Sequence, residues 1–323
     1  MLRNLLAALL ALAMLWSGTS AWGQSYPSRP VRVIVPFGPS LPDTISRILG
    51  AQLAVQMGQP FVVENRPGAN GIPGAEAVAK AAPDGYTLLL HSTSIALSPS
   101  MYKKLPYDTI RDLAPITLVG DVGAMVVVVS PSVPARSIQE LIAYARRPDV
   151  KLSYGSSGVG NVIHLAGELF KARAGIDMLH VPYKGSGQWV TALMSGEIQV
   201  AVAPAGTLLQ QVKSGHIRAL AYAHSTRAAA LPDVPTTAEA GLSNMEIEGG
   251  WFAMFAPGKT PAEIVTRLHA EIQKAVNDPQ TRTRFTGAQT NPIASSPADF
   301  TRYLNDQISK YAEMFKLAGL QPE

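Results

Sequence analysis

Apolar and polar positions along the chain alternate between two kinds of segment. Short, continuously apolar runs, such as 31–35 and 125–129, are followed by loops rich in Gly, Pro and Ser. After many of these loops come stretches with apolar residues at i, i+3, i+4 and i+7 or i+8. The runs are typical of strands covered on both faces, and the stretches of helices that lie with one face on a sheet. The pattern predicts an α/β fold with mostly parallel sheets.

The pattern predicts the positions of individual elements. Strands are predicted at 31–35, 61–63, 87–90, 116–119, 125–129, 151–154, 178–181, 198–202, 219–223 and 251–255. Helices are predicted at 43–56, 73–81, 137–147, 161–174, 186–195, 206–214, 261–277 and 297–318. With 323 residues the chain is long for one average core and suits two lobes.

Strand-like passages through 120–123 and 249–258 predict that the chain crosses twice between these lobes. We therefore expect 24–122 and 250–323 to build one lobe and 123–249 to form the other. Two lobes joined by two strands can hinge over a ligand.

The first 23 residues have the layout of a secretory signal peptide. Arg3 precedes an apolar run of about a dozen residues, and small residues follow as far as Gly23. The run is shorter than the roughly 20 residues that cross a bilayer, which argues against a membrane anchor. We expect cleavage after Gly23, with cleavage after Ala21 as the second choice, and export to the periplasm.

Composition argues against several classes of function. The chain has no Cys, so its core forms without disulfides, and its six His form no close ligand pair. The sequence therefore predicts no metal site and no cofactor. The formal net charge is +4, but Lys and Arg are scattered without basic runs or interleaved aromatic residues, so no nucleic-acid partner is expected.

Four small-residue loops carry the candidate chemistry. They lie at 36–44, 91–94, 155–161 and 183–187, each after a predicted strand. In open α/β sheets, ligands bind at the carboxyl ends of the strands. Free N–H groups at a helix N-terminus suit an anion. The loops therefore predict a clamp for a small anionic ligand.

An enzyme is the main alternative. The segment 155–158 contains Ser156 and Ser157, but the G-x-S-x-G pattern of a nucleophile elbow fails at Val159. A hydrolase would also need a His and an acid that the sequence cannot place. An esterase or amidase that uses Ser156 or Ser157 stays open here, as does a sensor that presents its liganded form to a membrane kinase.

Ordered motifs cover essentially the whole chain after the signal peptide. They are Pro36-Phe37 with Asp43, then 58–68, 82–90, 105–108, 154–160, 164–170, 181–185, 231–241 and Trp251-Phe252. These motifs resemble those of the Bug family, the extracytoplasmic solute receptors of tripartite tricarboxylate transporters. The resemblance implies a type II periplasmic binding protein, with two Rossmann-like lobes joined by two crossing strands around a ligand cleft. It also implies a receptor, not an enzyme, that binds a small carboxylate and delivers it to membrane permease subunits; we expect a monomer.

Carried over to this sequence, the family's contact loops fall on 36–43, 91–94, 155–161 and 184–188. The candidate ligand-binding residues are Phe37, Gly38, Ser40, Asp43, Ser92, Thr93, Ser94, Ser156, Ser157, Gly158, Asn161, Lys184, Gly185, Ser186 and Ala203. No catalytic or metal-binding residue is expected.

Two departures from the family pattern bear on the ligand. The first loop lacks the usual Gly-Gly-like pair and is one residue shorter, and Pro39 and Pro42 each lack an N–H donor. Ala203 stands where many relatives carry an Asp, so the floor of the expected ligand cleft carries less charge. We therefore expect a ligand with a carboxylate at one end and an apolar or aromatic body, in preference to citrate or aspartate.

Overall fold

The computed structural model describes residues 26–322, so the predicted signal peptide lies outside the described residues. The strands are β1 (Val31–Val35), β2 (Phe61–Asn65), β3 (Thr87–Ser92), β4 (Leu113–Asp121), β5 (Met125–Val129), β6 (Ser153–Ser156), β7 (Leu179–Pro182), β8 (Val200–Pro204), β9 (Arg218–Tyr222), β10 (Trp251–Pro257) and β11 (Asn291–Pro292). The α-helices are α1 (Leu41–Met57), α2 (Ile72–Ala79), α3 (Ser94–Met101), α4 (Ile138–Ala145), α5 (Val162–Ala174), α6 (Ser186–Ser195), α7 (Ala205–Lys213), α8 (Ala262–Asn277), α9 (Pro279–Gly287) and α10 (Pro297–Leu317). A 3₁₀ turn at Ala69–Gly71 precedes α2. No helix in this part of the chain is long and apolar enough to span a bilayer.

The strands form two sheets, one in each lobe. The first-lobe sheet has the order β11-β4-β10-β3-β1-β2, and the second-lobe sheet has the order β7-β6-β8-β5-β9. Strands β1, β2 and β3 run parallel, as do β6, β7 and β8. Strand β10 is antiparallel to β3 and β4, and β5 is antiparallel to β8 and β9. In each sheet most strands therefore share one direction, as predicted, but the strand that enters directly from the other lobe, β10 or β5, runs against them and makes its pairings antiparallel.

The predicted strands and helices all occur within a few residues of their predicted bounds, and α3, α9 and the two-residue strand β11 were missed. Strands from 31–121 and 251–292 share the first sheet, and strands from 125–222 share the second. The lobe boundaries expected at 122/123 and 249/250 lie in segments between the two sheets. The assignment of strands to sheets does not determine them, and they stay a proposal.

The two segments that connect the lobes pair with each other. Gly249 N donates to Gly123 O at 2.6 Å, and Val122 N donates to Gly250 O at 3.0 Å. Ala124 forms an antiparallel bridge with Glu248. A Cβ atom on Gly249 would lie 2.6 Å from Gly123 O, so this approach requires glycine. We call these paired segments the hinge.

Helix α10 closes the side of the first lobe and also reaches α5 of the second lobe. Its Phe300 and Tyr311 are fully buried, and the Trp251 ring packs edge-on against Phe300 with centroids 5.9 Å apart. The C-terminal helix therefore supports the strand that leaves the hinge.

The packing of α5 on the second-lobe sheet allows no side chain at Gly167. A Cβ atom there would lie 2.1 Å from Cε2 of Tyr154, whose ring is fully buried and whose hydroxyl donates to Glu168 Oε1 at 2.6 Å. Overpacking costs about 1–3 kcal/mol, more than the roughly 1 kcal/mol by which Ala is favoured over Gly in a helix. We predict that Gly167→Ala lowers the free energy of unfolding, measured by urea denaturation.

The matched control is Gly187→Ala. Gly187 is also helical, in α6, and a Cβ atom there would meet nothing within 4 Å. This variant is expected to be neutral or slightly stabilising. Equal stability of Gly167→Ala and the unmodified protein would show that the Tyr154 ring is not held in place.

Candidate ligand-binding site

A cleft of about 790 Å³ opens beside the hinge between the two lobes. The first lobe contributes 36–42, 67–71 and 92–94 to its walls. The second lobe contributes Ser157, 161–163, 184–186, Pro204 and Thr207, and the hinge contributes Val122 and 249–252. Most of these segments follow the carboxyl ends of strands, as expected for a ligand site in an α/β protein.

The structure brings most of the candidate residues together in this cleft. Those that line it are Phe37, Gly38, Ser40, Ser92, Thr93, Ser94, Ser157, Asn161, Lys184, Gly185 and Ser186. Asp43, Ser156, Gly158 and Ala203 are not part of its lining. Ala203 lies fully buried within β8.

Asp43 supports the first loop from behind. Its carboxylate accepts hydrogen bonds from Arg47 Nε at 3.0 and 3.1 Å and from Asn65 Nδ2 at 2.8 Å. Burial alone would raise the pKa of Asp43, but the bonds from Arg47 and Asn65 hold it below its ordinary value. Asn65 Nδ2 also donates to Phe37 O at 2.9 Å. The carboxylate thus stays ionised and fixes the loop that carries Phe37.

Ser156 and Gly158 stabilise the loop between β6 and α5. The Ser156 hydroxyl donates to Gly158 O at 2.9 Å, and Gly158 N donates to Ser156 Oγ at 3.2 Å. The Gly158 N–H is therefore used within the loop. Asn161 Nδ2 donates to the same Gly158 carbonyl at 3.0 Å.

The serine nucleophile of the enzyme alternative finds no support in this geometry. Ser156 Oγ lies 2.7 Å from His180 Nε2, but Ser156 is fully buried and lies outside the cleft. Burial and the neighbouring His164 lower the pKa of His180 to about 4, which makes it a weak base at neutral pH. Ser157 does line the cleft, but its oxygen accepts from Trp189 Nε1 at 3.0 Å.

Hydroxyl groups in the cleft are arranged as donors. Trp189 donates to the Ser157 oxygen, and Ser92 Oγ donates to Ser94 Oγ at 3.3 Å. A hydroxyl whose oxygen already accepts a bond keeps its own hydrogen for another acceptor. Ser157 and Ser94 can therefore each donate to an anion from opposite walls of the cleft.

The helix N-termini at the cleft differ in their ability to attract an anion. Asn161 Oδ1 caps α5 by accepting from Ile163 N and His164 N, at 2.9 and 3.0 Å. Helices α1, α3, α6 and α7 have no side-chain cap, and Lys184 lies just before the first turn of α6. Among the described residues that line the cleft, Lys184 is the only charged one. The one cation of the described lining therefore lies on the second-lobe wall.

Sequence reasoning missed the segment 67–71, which forms part of the first-lobe wall. Gly68, Ala69, Asn70 and Gly71 all have positive φ, at 132, 37, 51 and 93°. The Asn-Gly pair at 70–71 is a turn signal that could have indicated this loop. Asn70 Nδ2 lies within hydrogen-bond distance of Tyr102 OH at 3.1 Å and of Val159 O, in the second lobe, at 3.2 Å.

The contact of Asn70 with Val159 joins the two lobes at the mouth of the cleft. We predict that Asn70→Gly, which keeps the left-handed backbone and removes the amide, weakens ligand binding roughly fivefold, the value of one net hydrogen bond. Calorimetric titration of a bound carboxylate measures the change.

Asn244→Gly provides the control for this variant. Asn244 is exposed, lies outside the cleft and also has a positive φ, of 56°. The prediction fails if both variants bind with the affinity of the unmodified protein.

His91 makes the stability of the first lobe depend on pH. The ring is buried behind Phe37, with centroids 5.3 Å apart, and its Nδ1 lies 2.9 Å from Ser92 O. Burial lowers the pKa of His91 from 6.5 to about 4, against the opposing backbone contacts at Ser92 and Gly71. Between these values the unfolded chain binds the proton more readily. The contribution of the neutral, buried His91 ring to the free energy of unfolding is therefore complete above about pH 6.5. It is lost as the pH falls towards 4.

We predict that His91→Asn, which can keep a donor near Ser92 O, reduces the loss of stability between pH 6.5 and 4. Denaturation midpoints across this range measure the effect. His216→Asn, at an exposed position, should leave the pH profile unchanged. Identical profiles for the unmodified protein and His91→Asn would contradict the assignment.

Comparisons with known proteins agree with this architecture. Residues 45–320 match the family model TctC, described as "Tripartite tricarboxylate transporter family receptor". The chain is 35% identical to a UPF0065 protein of Bordetella pertussis, with 99% of each chain covered. It is also 35% identical to "Protein BugT" of the same organism, with 91% of each covered.

Solved structures similar to this chain include binding proteins with and without a named ligand. "R. palustris Rpa4515 with adipate" has a TM-score of 0.82 at 32% identity, over 93% of this chain and all of the other. "Structure of periplasmic binding protein BugD" has a TM-score of 0.80 at 31% identity, over 92% of this chain and 100% of the other. MatC from Rhodopseudomonas palustris with bound malate has a TM-score of 0.77 at 29% identity, over 90% of this chain and 99% of the other.

The family and these structures are solute-binding receptors and not enzymes. The two-lobed α/β fold, the cleft at the hinge and the match over most of the chain lead to one assignment. The chain belongs to the tripartite tricarboxylate transporter receptor family and is a solute-binding protein of the Bug type.

Proposed function

We propose that this protein is a periplasmic receptor that captures a small carboxylate in the cleft between its lobes and delivers it to a tripartite tricarboxylate-type permease. The observation that carries the proposal is the lining of the cleft. It combines hydroxyl donors, an uncapped helix N-terminus and a single cation, Lys184, without a carboxylate among the described lining residues. This set of groups suits an anion.

The related structures support a carboxylate as the anion. The adipate and malate named for two of them are both carboxylates. The fold is the same over most of the chain, which supports the equivalent cleft as the binding site here. The apolar N-terminal segment and the periplasmic relatives support export to the periplasm.

The available contacts are sufficient for useful affinity. A charge-assisted hydrogen bond contributes about 1.5–3 kcal/mol, and a helix N-terminus about 0.3–1 kcal/mol. Four or five such contacts, less the cost of ordering the cleft, reach the roughly −8 kcal/mol of micromolar binding. A receptor needs no catalytic group to work in this way. Release to the permease then requires only that the lobes separate again.

We predict that Lys184→Met weakens binding of carboxylates about tenfold, because it removes the cation at the second-lobe wall. Titration calorimetry of the mature protein with adipate, malate and hexanoate identifies a ligand and measures the change. Lys151→Met is the control, since Lys151 is exposed and lies outside the cleft. Binding of an uncharged amide analogue as tightly as its acid would contradict the proposal.

A further inference from the structure

The two walls of the cleft differ in their chemistry. Lys184, Ser157 and the uncapped N-terminus of α6 lie on the second-lobe wall. The first-lobe wall includes the segment 36–42, which we call the proline loop and which contains Pro36, Phe37, Pro39, Leu41 and Pro42. The second-lobe wall therefore offers a cation, whereas the proline loop offers mostly carbon, and the hydroxyl groups of the first-lobe wall lie outside this loop, at 92–94.

The few polar groups of the proline loop are already engaged within the first lobe. Ser40 Oγ donates to Gly38 O at 2.8 Å, so the hydroxyl hydrogen is used locally. Phe37 O accepts from Asn65 Nδ2 at 2.9 Å. Pro39 and Pro42 have no N–H to offer. Compared with an ordinary helix N-terminus, the start of α1 therefore presents few donors to a ligand.

The charges near the proline loop do not favour a second anionic group either. Asp43 occupies the first turn of α1, where its carboxylate opposes the attraction of the helix for anions. Arg47, the nearest cation on that helix, is bonded to Asp43 and to Asn65 Oδ1 at 3.0 Å. Neither side chain lines the cleft. A carboxylate placed against the proline loop would lose water without gaining a charged partner.

We propose that the ligand is a singly charged carboxylate with an apolar or aromatic body. This inference rests on the proposed receptor function and narrows it. The carboxylate binds at Lys184 and Ser157, and the body lies on the proline loop, where Phe37 and Leu41 cover it. The Phe37 ring is supported from behind by His91, which gives the body a fixed apolar surface.

Two pairs of acids test the proposal because the members of each pair share a skeleton. Hexanoate and adipate both have six carbons and differ in one terminal group, and benzoate and terephthalate differ likewise. Titration calorimetry of the mature protein should show the monocarboxylate at least tenfold tighter than its dicarboxylate partner in at least one pair. Adipate and terephthalate binding as tightly as, or more tightly than, hexanoate and benzoate would overturn the proposal.

A variant pair separates the two walls. Leu41→Ser should weaken the binding of hexanoate about fivefold and leave the binding of adipate nearly unchanged. The ratio of the two affinities should therefore fall. Lys184→Met should weaken hexanoate and adipate by the same factor, since both carry a carboxylate. Leu179→Ser, at an exposed leucine of β7 outside the cleft, is the control and should change neither affinity. Thermal unfolding of each variant shows that it is folded.

The outcomes distinguish this inference from the function on which it rests. If acids bind and Lys184→Met weakens them, but the dicarboxylates are preferred, the receptor function stands and the inference fails. If Leu41→Ser weakens both members of a pair equally, the proline loop does not select the body of the ligand and the inference also fails. If none of the four acids binds, both the inference and the carboxylate assignment are overturned.

Discussion

The backbone contact between Gly123 and Gly249 is the constraint on which the rest of the structure depends. The two connecting segments approach so closely that a Cβ atom on Gly249 would collide with the Gly123 carbonyl. Their pairing aligns β4 with β10 on one side and feeds β5 into the second sheet on the other. The ends of both sheets therefore face the same space, and the loops that follow them become the walls of one cleft.

Much of the fold could be predicted from hydrophobic patterning, because most strands and helices bury one continuous apolar run or stripe. Helix α3 was not predicted because nearly all of its sides are buried and Pro99 lies within it, so its sequence has no amphipathic period. Helix α9 was not predicted for the opposite reason. It has too few buried positions to form an apolar face, since Thr281 and Phe285 are its only buried residues in the described structure. The reversed direction of β5 and β10 could not be predicted, because an apolar run indicates burial and carries no information on which lobe the strand comes from.

The candidate site was predictable at the level of loops and less so at the level of atoms. Small polar residues after strands indicated the walls, and Lys184, Ser157 and Asn161 do lie there. Asp43 and Ser156 look equally polar in sequence, but their groups are satisfied by neighbours that only folding brings near. Asn70 was overlooked because its importance comes from Val159, a residue of the other lobe. Sequence proximity cannot show such a contact.

The position of β10 in the middle of the first sheet has a consequence for the order in which the protein folds. Trp251 N donates to Thr93 Oγ1 across 158 residues of sequence, and the whole second-lobe sheet lies between the two. During synthesis the second lobe has all of its strands before the first lobe receives its central one. Long-range pairing of this kind is slow to form, because the intervening chain must be ordered before the contact is made. The first lobe therefore stays incomplete until almost the entire chain is available, and the cleft is assembled last.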